Sequence, residues 1–261
     1  MSTSIVALGI AAGLICALAQ SGAYIFSRLF VIRSRAASLH LMVLAHVLMG
    51  LASVIILIAM QPHDLPPIRQ FGPSLMGAGG FFVLAQIGLL TLMRFTTPSS
   101  IAPLLGLKII VLALFNLMLF NEHLRAQQWG AVVLCAAAAL VLNAAGAKLG
   151  WRTLLLVLFS CAGYSLSDLS ITRLVGHLGE PGSVRAAVLG AVMCYTMLGA
   201  VALPMMLMLK GERHAGAFLR FGVPYSCLWF LAMLMLFFSM SCIGPVYAVI
   251  LQSTRGLWSV L

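Results

Sequence analysis

An all-α integral membrane protein is the fold class this sequence predicts: about nine transmembrane helices built from two inverted five-helix repeats, the second of them truncated. Three observations predict it. Of 261 residues, 62% are hydrophobic and 8% charged, with a mean hydropathy of +1.12, whereas a soluble surface needs roughly a quarter to a third of its residues charged. Apolar blocks recur nine times at the length of roughly 20 helical residues that crosses a hydrocarbon core of about 30 Å. Short segments of the two halves resemble one another at nearly one offset.

Backbone groups in lipid must be hydrogen-bonded within their own segment, so each block is read as a helix. The nine fall at 4–26, 38–60, 73–93, 100–120, 128–147, 153–175, 185–209, 221–240 and 244–261. The first lacks a basic stretch before its apolar run and is long enough to span, which makes it a helix and not a cleaved signal. Every connection is short. Gln61 to Phe71 carries Pro62, Pro66 and Pro67, and Lys210 to Leu219 carries Gly211, Glu212 and Arg213, which is turn chemistry. The ninth block stops with the chain at Leu261, so the end of that helix and a tenth helix are expected to be lacking.

Fifteen Lys and Arg stand against five Asp and Glu, a net charge of +10. No aromatic and basic residues alternate along an exposed surface, so nucleic acid is excluded as a partner. The basic residues are read as loop anchors against anionic lipid. The six cysteines, Cys16, Cys135, Cys161, Cys194, Cys227 and Cys242, fall in or at the ends of spans without a CxxC pair. They imply neither a disulfide framework nor a metal site, and no cofactor is expected. Odd-numbered connections carry nine Lys and Arg against four in the even-numbered ones, which favours an outside N-terminus.

Two matches define the repeat. Ser27-Arg28-Leu29-Phe30-Val31 resembles Thr172-Arg173-Leu174-Val175 at an offset of 145, and Ser100-Ile101-Ala102-Pro103-Leu104 resembles Cys242-Ile243-Gly244-Pro245-Val246 at an offset of 142. The repeats are therefore set at 1–147 and 148–261. An odd number of helices per unit inverts the second copy, the arrangement of alternating-access transporters.

From Ser100 to Gly146 an apolar helix with Pro103 near its start leads into Phe120-Asn121-Glu122-His123-Leu124-Arg125-Ala126-Gln127-Gln128-Trp129-Gly130 and then a small-residue helix. This hairpin resembles the EamA-type module of the drug/metabolite transporter superfamily. The resemblance implies ten helices in two inverted halves, the first four of each enclosing a central cavity and the fifth packed outside. It also implies a cytoplasmic N-terminus, opposite to the arginine count. The acid equivalent to Glu122 is expected near a position 264 that this sequence does not reach.

Ionisable groups deep in a span cost about 2.5–3.5 kcal/mol each on insertion scales and need a partner or a wet cavity. Asp168 is mid-span in the sixth helix, in one stripe with Ser160, Tyr164 and Ser167. It reads as a cavity carboxylate for a cationic group, a proton or an internal basic partner, or as a structural ion pair or packed acid. Lys108 in the fourth helix reads as a cavity cation or as a side chain snorkelling to the interface. Arg255 shares a face of the ninth helix with Gln252 and Trp258, and because it cannot lose its proton it must be wet or paired. Gln20, Tyr24, Ser27 and Arg28 form a stripe on the first helix, at a cavity mouth or at the interface. His46 reads as a hydrogen-bonded structural histidine or a proton carrier. Gly77-Ala78-Gly79-Gly80 reads as a packing surface.

The function expected is a secondary transporter in the cell membrane, a bacterial inner membrane, exporting a small organic metabolite or drug by alternating access. Substrate-binding or coupling residues are Asp168, Arg255, Lys108, Tyr164, Gln252, Tyr24, Gln20 and Trp258. Two intramembrane cations against one acid favour an anionic or zwitterionic solute, with a proton on Asp168 as coupling ion or none. A truncated or regulatory membrane protein without transport is the alternative. A lipid-modifying enzyme is disfavoured because Asp64, Glu122, Asp168, Glu180 and Glu212 are scattered over different connections and spans.

Overall fold

The computed structural model describes residues 3–34, 38–92, 105–120, 126–127, 129–130, 132–134, 137, 150–208 and 215–255. Among these, the regular structure is entirely helical. Helix α1 covers Thr3–Ser34, α2 Ser38–Met60 and α3 Ile68–Leu92. A 3-10 turn, Leu105–Leu107, leads into α4, Lys108–Phe120. Helix α5 covers Trp151–Leu178 and α6 Val184–Met208. A π-helical turn, Phe218–Gly222, runs into α7, Val223–Ile243, and α8 is Pro245–Ser253. Among the described residues, six helices are long and apolar enough to cross a membrane: α1, α2, α3, α5, α6 and α7. The protein is thus membrane-embedded and multi-pass.

These helices match the first four and last four apolar blocks. The fifth block and the Glu122 turn lie largely outside the described residues, as do Pro103 and Trp258. Several ends differ from the sequence expectation. Helix α1 continues past position 26 to Ser34, so Arg28 and Arg33 ride on the helix and not in a connection. Helix α3 begins at Ile68 instead of 73, taking Arg69 and Pro73 into its first turns. Hydropathy marks where a chain leaves lipid, whereas hydrogen bonding continues the helix beyond that level. The break between α7 and α8 is sharper. Gly244 has φ 79°, a left-handed conformation that suits glycine, and Pro245 then starts the next helix without needing a donated N–H.

Packing follows a definite pairing. Helix α3 lies along α5, α1 along α7, and α2 along α6, while α4 rests on α5 and α8 on α1. Exchanging α1 with α5, α2 with α6, α3 with α7 and α4 with α8 maps this pairing onto itself. At the α2/α6 crossing, Gly50 and Gly199 meet backbone to backbone. A Cβ built on either would lie 2.7 Å from the Cα of the other. Small residues drive such contacts because lipid provides no hydrophobic force between helices, leaving close van der Waals packing to hold them. Elsewhere serines cross-link helix pairs: Ser167 Oγ donates to the Ala78 carbonyl at 2.7 Å, joining α5 to α3, and Ser239 Oγ to the Gly9 carbonyl at 2.8 Å, joining α7 to α1. The glycine run of α3 packs as expected at Gly77, against Ser170, and at Gly79, against Met197, while Gly80 faces open space.

Candidate functional site

All eight described helices contribute to a central cavity of about 190 Å³. Its lining includes seven of the eight residues singled out in the sequence: Gln20, Tyr24, Lys108, Tyr164, Asp168, Gln252 and Arg255. The eighth, Trp258, lies outside the described residues.

Two polar centres face this space. In the first, Lys108 Nζ on α4 is 2.6 Å from Asp168 Oδ2 on α5, with the two side chains only 14% and 7% exposed. Lys108 is also 5.6 Å from the Tyr164 ring centre, one turn before Asp168. The ammonium therefore turns inward to a carboxylate and an aromatic face and does not snorkel to the interface. Asp168 therefore has a basic partner inside the protein, as both its cavity and its structural ion-pair readings expect. In the second centre, Arg255 just beyond α8 donates through Nη1 to Gln20 Oε1 at 2.8 Å. Its guanidinium stands 5.6 Å from the Tyr24 ring centre. Ser21 Oγ donates to the Arg255 carbonyl at 2.8 Å, which holds this end of α8 against α1. Gln20, 1% exposed, also points its amide nitrogen at Met233 Sδ, 3.9 Å away. The Gln20 and Tyr24 stripe thus lines the cavity itself.

A chain of rings links the walls. Tyr24 meets Trp229 edge-on at 5.9 Å, and Trp229 stacks on Tyr225 at 5.8 Å. Trp229 Nε1 donates to Tyr195 Oη at 3.1 Å. Tyr195 stacks on His46, and Phe82 bridges His46 to Tyr164. His46 Nδ1 is 2.7 Å from the Met42 carbonyl on its own helix, which favours its structural reading. Trp229→Phe is expected to lower stability by about 1–2 kcal/mol, because it removes the donor to a buried Tyr195 hydroxyl. Thermal unfolding in detergent micelles measures this, and an unchanged midpoint would show the bond to be energetically idle.

The aromatic wall on α6 and α7 is what sequence reasoning missed. Tyr195, Tyr225 and Trp229 sit in helices so evenly apolar that no face stands out by hydropathy. The available signal was the four-residue spacing of Tyr225, Trp229 and Met233, which puts all three on one stripe.

No family model matches this chain, and no curated protein matches it.

Proposed function

We propose that this protein is a secondary transporter of the EamA type, moving a small organic anion or zwitterion across a bacterial inner membrane by alternating access. The observation that carries the reading is the central cavity, closed by helices of both halves of the chain and lined by Lys108, Asp168 and Arg255. Charged groups inside a membrane protein mark solute and ion pathways, since each is expensive unless it serves or is paired. Cavities at the interface of two repeats are where such transporters bind solute.

The helix pairing supports a two-fold repeat, because the pairings α1 with α7, α2 with α6, α3 with α5, α4 with α5 and α8 with α1 are kept when α1 to α4 exchange with α5 to α8. Gly50 and Gly199 would then sit beside the pseudo-two-fold axis, where α2 meets its own counterpart α6. Their backbone contact supplies the natural pivot for one half rocking against the other. The reading leaves no catalytic role for the cavity groups: one carboxylate held by a lysine is neither a free general base nor a paired acid.

Flux of small organic anions and zwitterions in proteoliposomes tests the proposal. Arg255→Gln is expected to lower flux by about tenfold or more, the loss that follows removal of one charge-assisted contact to an anionic group. Equal flux in the variant removes Arg255 from the site. Absence of flux for every solute would favour a membrane protein without transport of its own.

A further inference from the structure

The two cavity cations lie on or beside helices that correspond in the two halves of the chain, α4 and α8, though not at positions that the repeat offsets of 142 and 145 equate, and they meet different partners. Lys108 and Arg255 are 147 positions apart, and Gln20 and Asp168 are 148 apart. Lys108 contacts Asp168 and Arg255 contacts Gln20, each between an α4-like and an α1-like helix. Where one half supplies a carboxylate, the other supplies a neutral amide. Among the described residues, no carboxylate lies within 4.0 Å of Arg255.

We propose that the missing carboxylate belongs to the solute: Arg255 anchors a planar aromatic monocarboxylate whose ring lies against Tyr24 and Trp229. This rests on the cavity being the solute site of a transporter, and it narrows the substrate to one class. Charge comes first. Arg255 stays protonated at any physiological pH, and the Lys108 and Asp168 charges cancel, so among the described residues the cavity lining carries one uncompensated positive charge. A monoanion neutralises it. A dianion overshoots, and a zwitterion adds nothing while its ammonium must compete for an Asp168 already held at 2.6 Å by Lys108.

Geometry comes next. A guanidinium has five N–H donors in a planar fork, and Gln20 takes one of them, which leaves donors for a carboxylate. Beside that fork, Tyr24 and Trp229 form two walls set at 81° to each other. Trp229 already spends its N–H on Tyr195, so it offers a solute its ring surface alone. Size agrees. A protein cavity of about 150 Å³ holds one benzene, and about 190 Å³ has room for one ring bearing a small substituent.

The test is calorimetric titration of the full chain in lipid nanodiscs with benzoate, benzamide and phenylalanine. Benzoate is expected to bind, with benzamide and phenylalanine each about tenfold weaker or worse, the cost of losing one charge-assisted pair. Arg255→Gln is expected to abolish the preference for benzoate over benzamide, and Arg255→Lys to keep part of it; size-exclusion profiles check that both variants remain folded. Benzamide or phenylalanine binding as tightly as benzoate overturns the proposal, and so does no binding of benzoate. Flux of labelled benzoate in proteoliposomes separates the two levels. Selective binding without flux leaves the Arg255 assignment standing and removes the transport reading. Flux of other solutes with no benzoate preference does the reverse.

Discussion

Asp168→Asn is expected to destabilise the protein by about 3–5 kcal/mol, because it strands the buried Lys108 ammonium without its counter-charge. The pair is 2.6 Å apart and its side chains are 14% and 7% exposed, so the cavity offers the ammonium little solvent in place of the lost carboxylate. Lys108→Met should cost a similar amount, leaving the carboxylate stranded instead. The double variant Lys108→Met with Asp168→Leu removes both charges together and is expected to recover most of the loss, since a buried ion pair is about neutral against apolar residues of similar size. Denaturant unfolding in micelles gives the three values and their coupling. The double variant also decides what the pair is for. If it folds yet carries no solute, Lys108 and Asp168 belong to the transport site; if it folds and transports normally, they are helix glue and nothing more.

Gly199→Val should be the most damaging single change away from the charges. Its Cβ would fall 2.7 Å from the Gly50 Cα and 3.1 Å from the His46 carbonyl. Both are backbone atoms, so relief requires moving a helix, and overpacking of this kind costs about 1–3 kcal/mol or more. Gly79→Ala is the control. The atoms its Cβ meets are the side-chain ends of Met197 and Leu198, which can swing away. Yield of monodisperse protein and thermal midpoint compare the two; equal behaviour would mean that the α2/α6 crossing is not tight. A variant that folds but no longer transports would locate the conformational pivot at this crossing.

Much of the site was legible from the sequence because charge in an apolar span is rare. Asp168, Lys108 and Arg255 announce themselves against 62% hydrophobic residues, and the four-residue step from Gln20 to Tyr24 places these two on one face of α1. Their partners were not legible. The stem of Lys108 is long enough to snorkel to the interface, and nothing along the chain says that α4 leans on α5 so that the ammonium meets Asp168. Gln20 and Arg255 are 235 positions apart, and only the packing of α8 on α1 brings them together. Tyr195, Tyr225 and Trp229 look like ordinary bulk in uniformly apolar helices until a cavity is seen beside them.

What the sequence determined by itself is the class of solvent and the kind of secondary structure. Long apolar blocks dictate helices, because in lipid a segment has only its own backbone to hydrogen-bond with. The tertiary structure decided which helix lies beside which, and hence which charge is cancelled and which is left over. In the membrane that choice is poorly written in hydropathy, since a face toward lipid and a face toward another helix are equally apolar. It is written in small residues such as Gly50 and Gly199, and in a few polar groups whose pairing only a folded chain can complete.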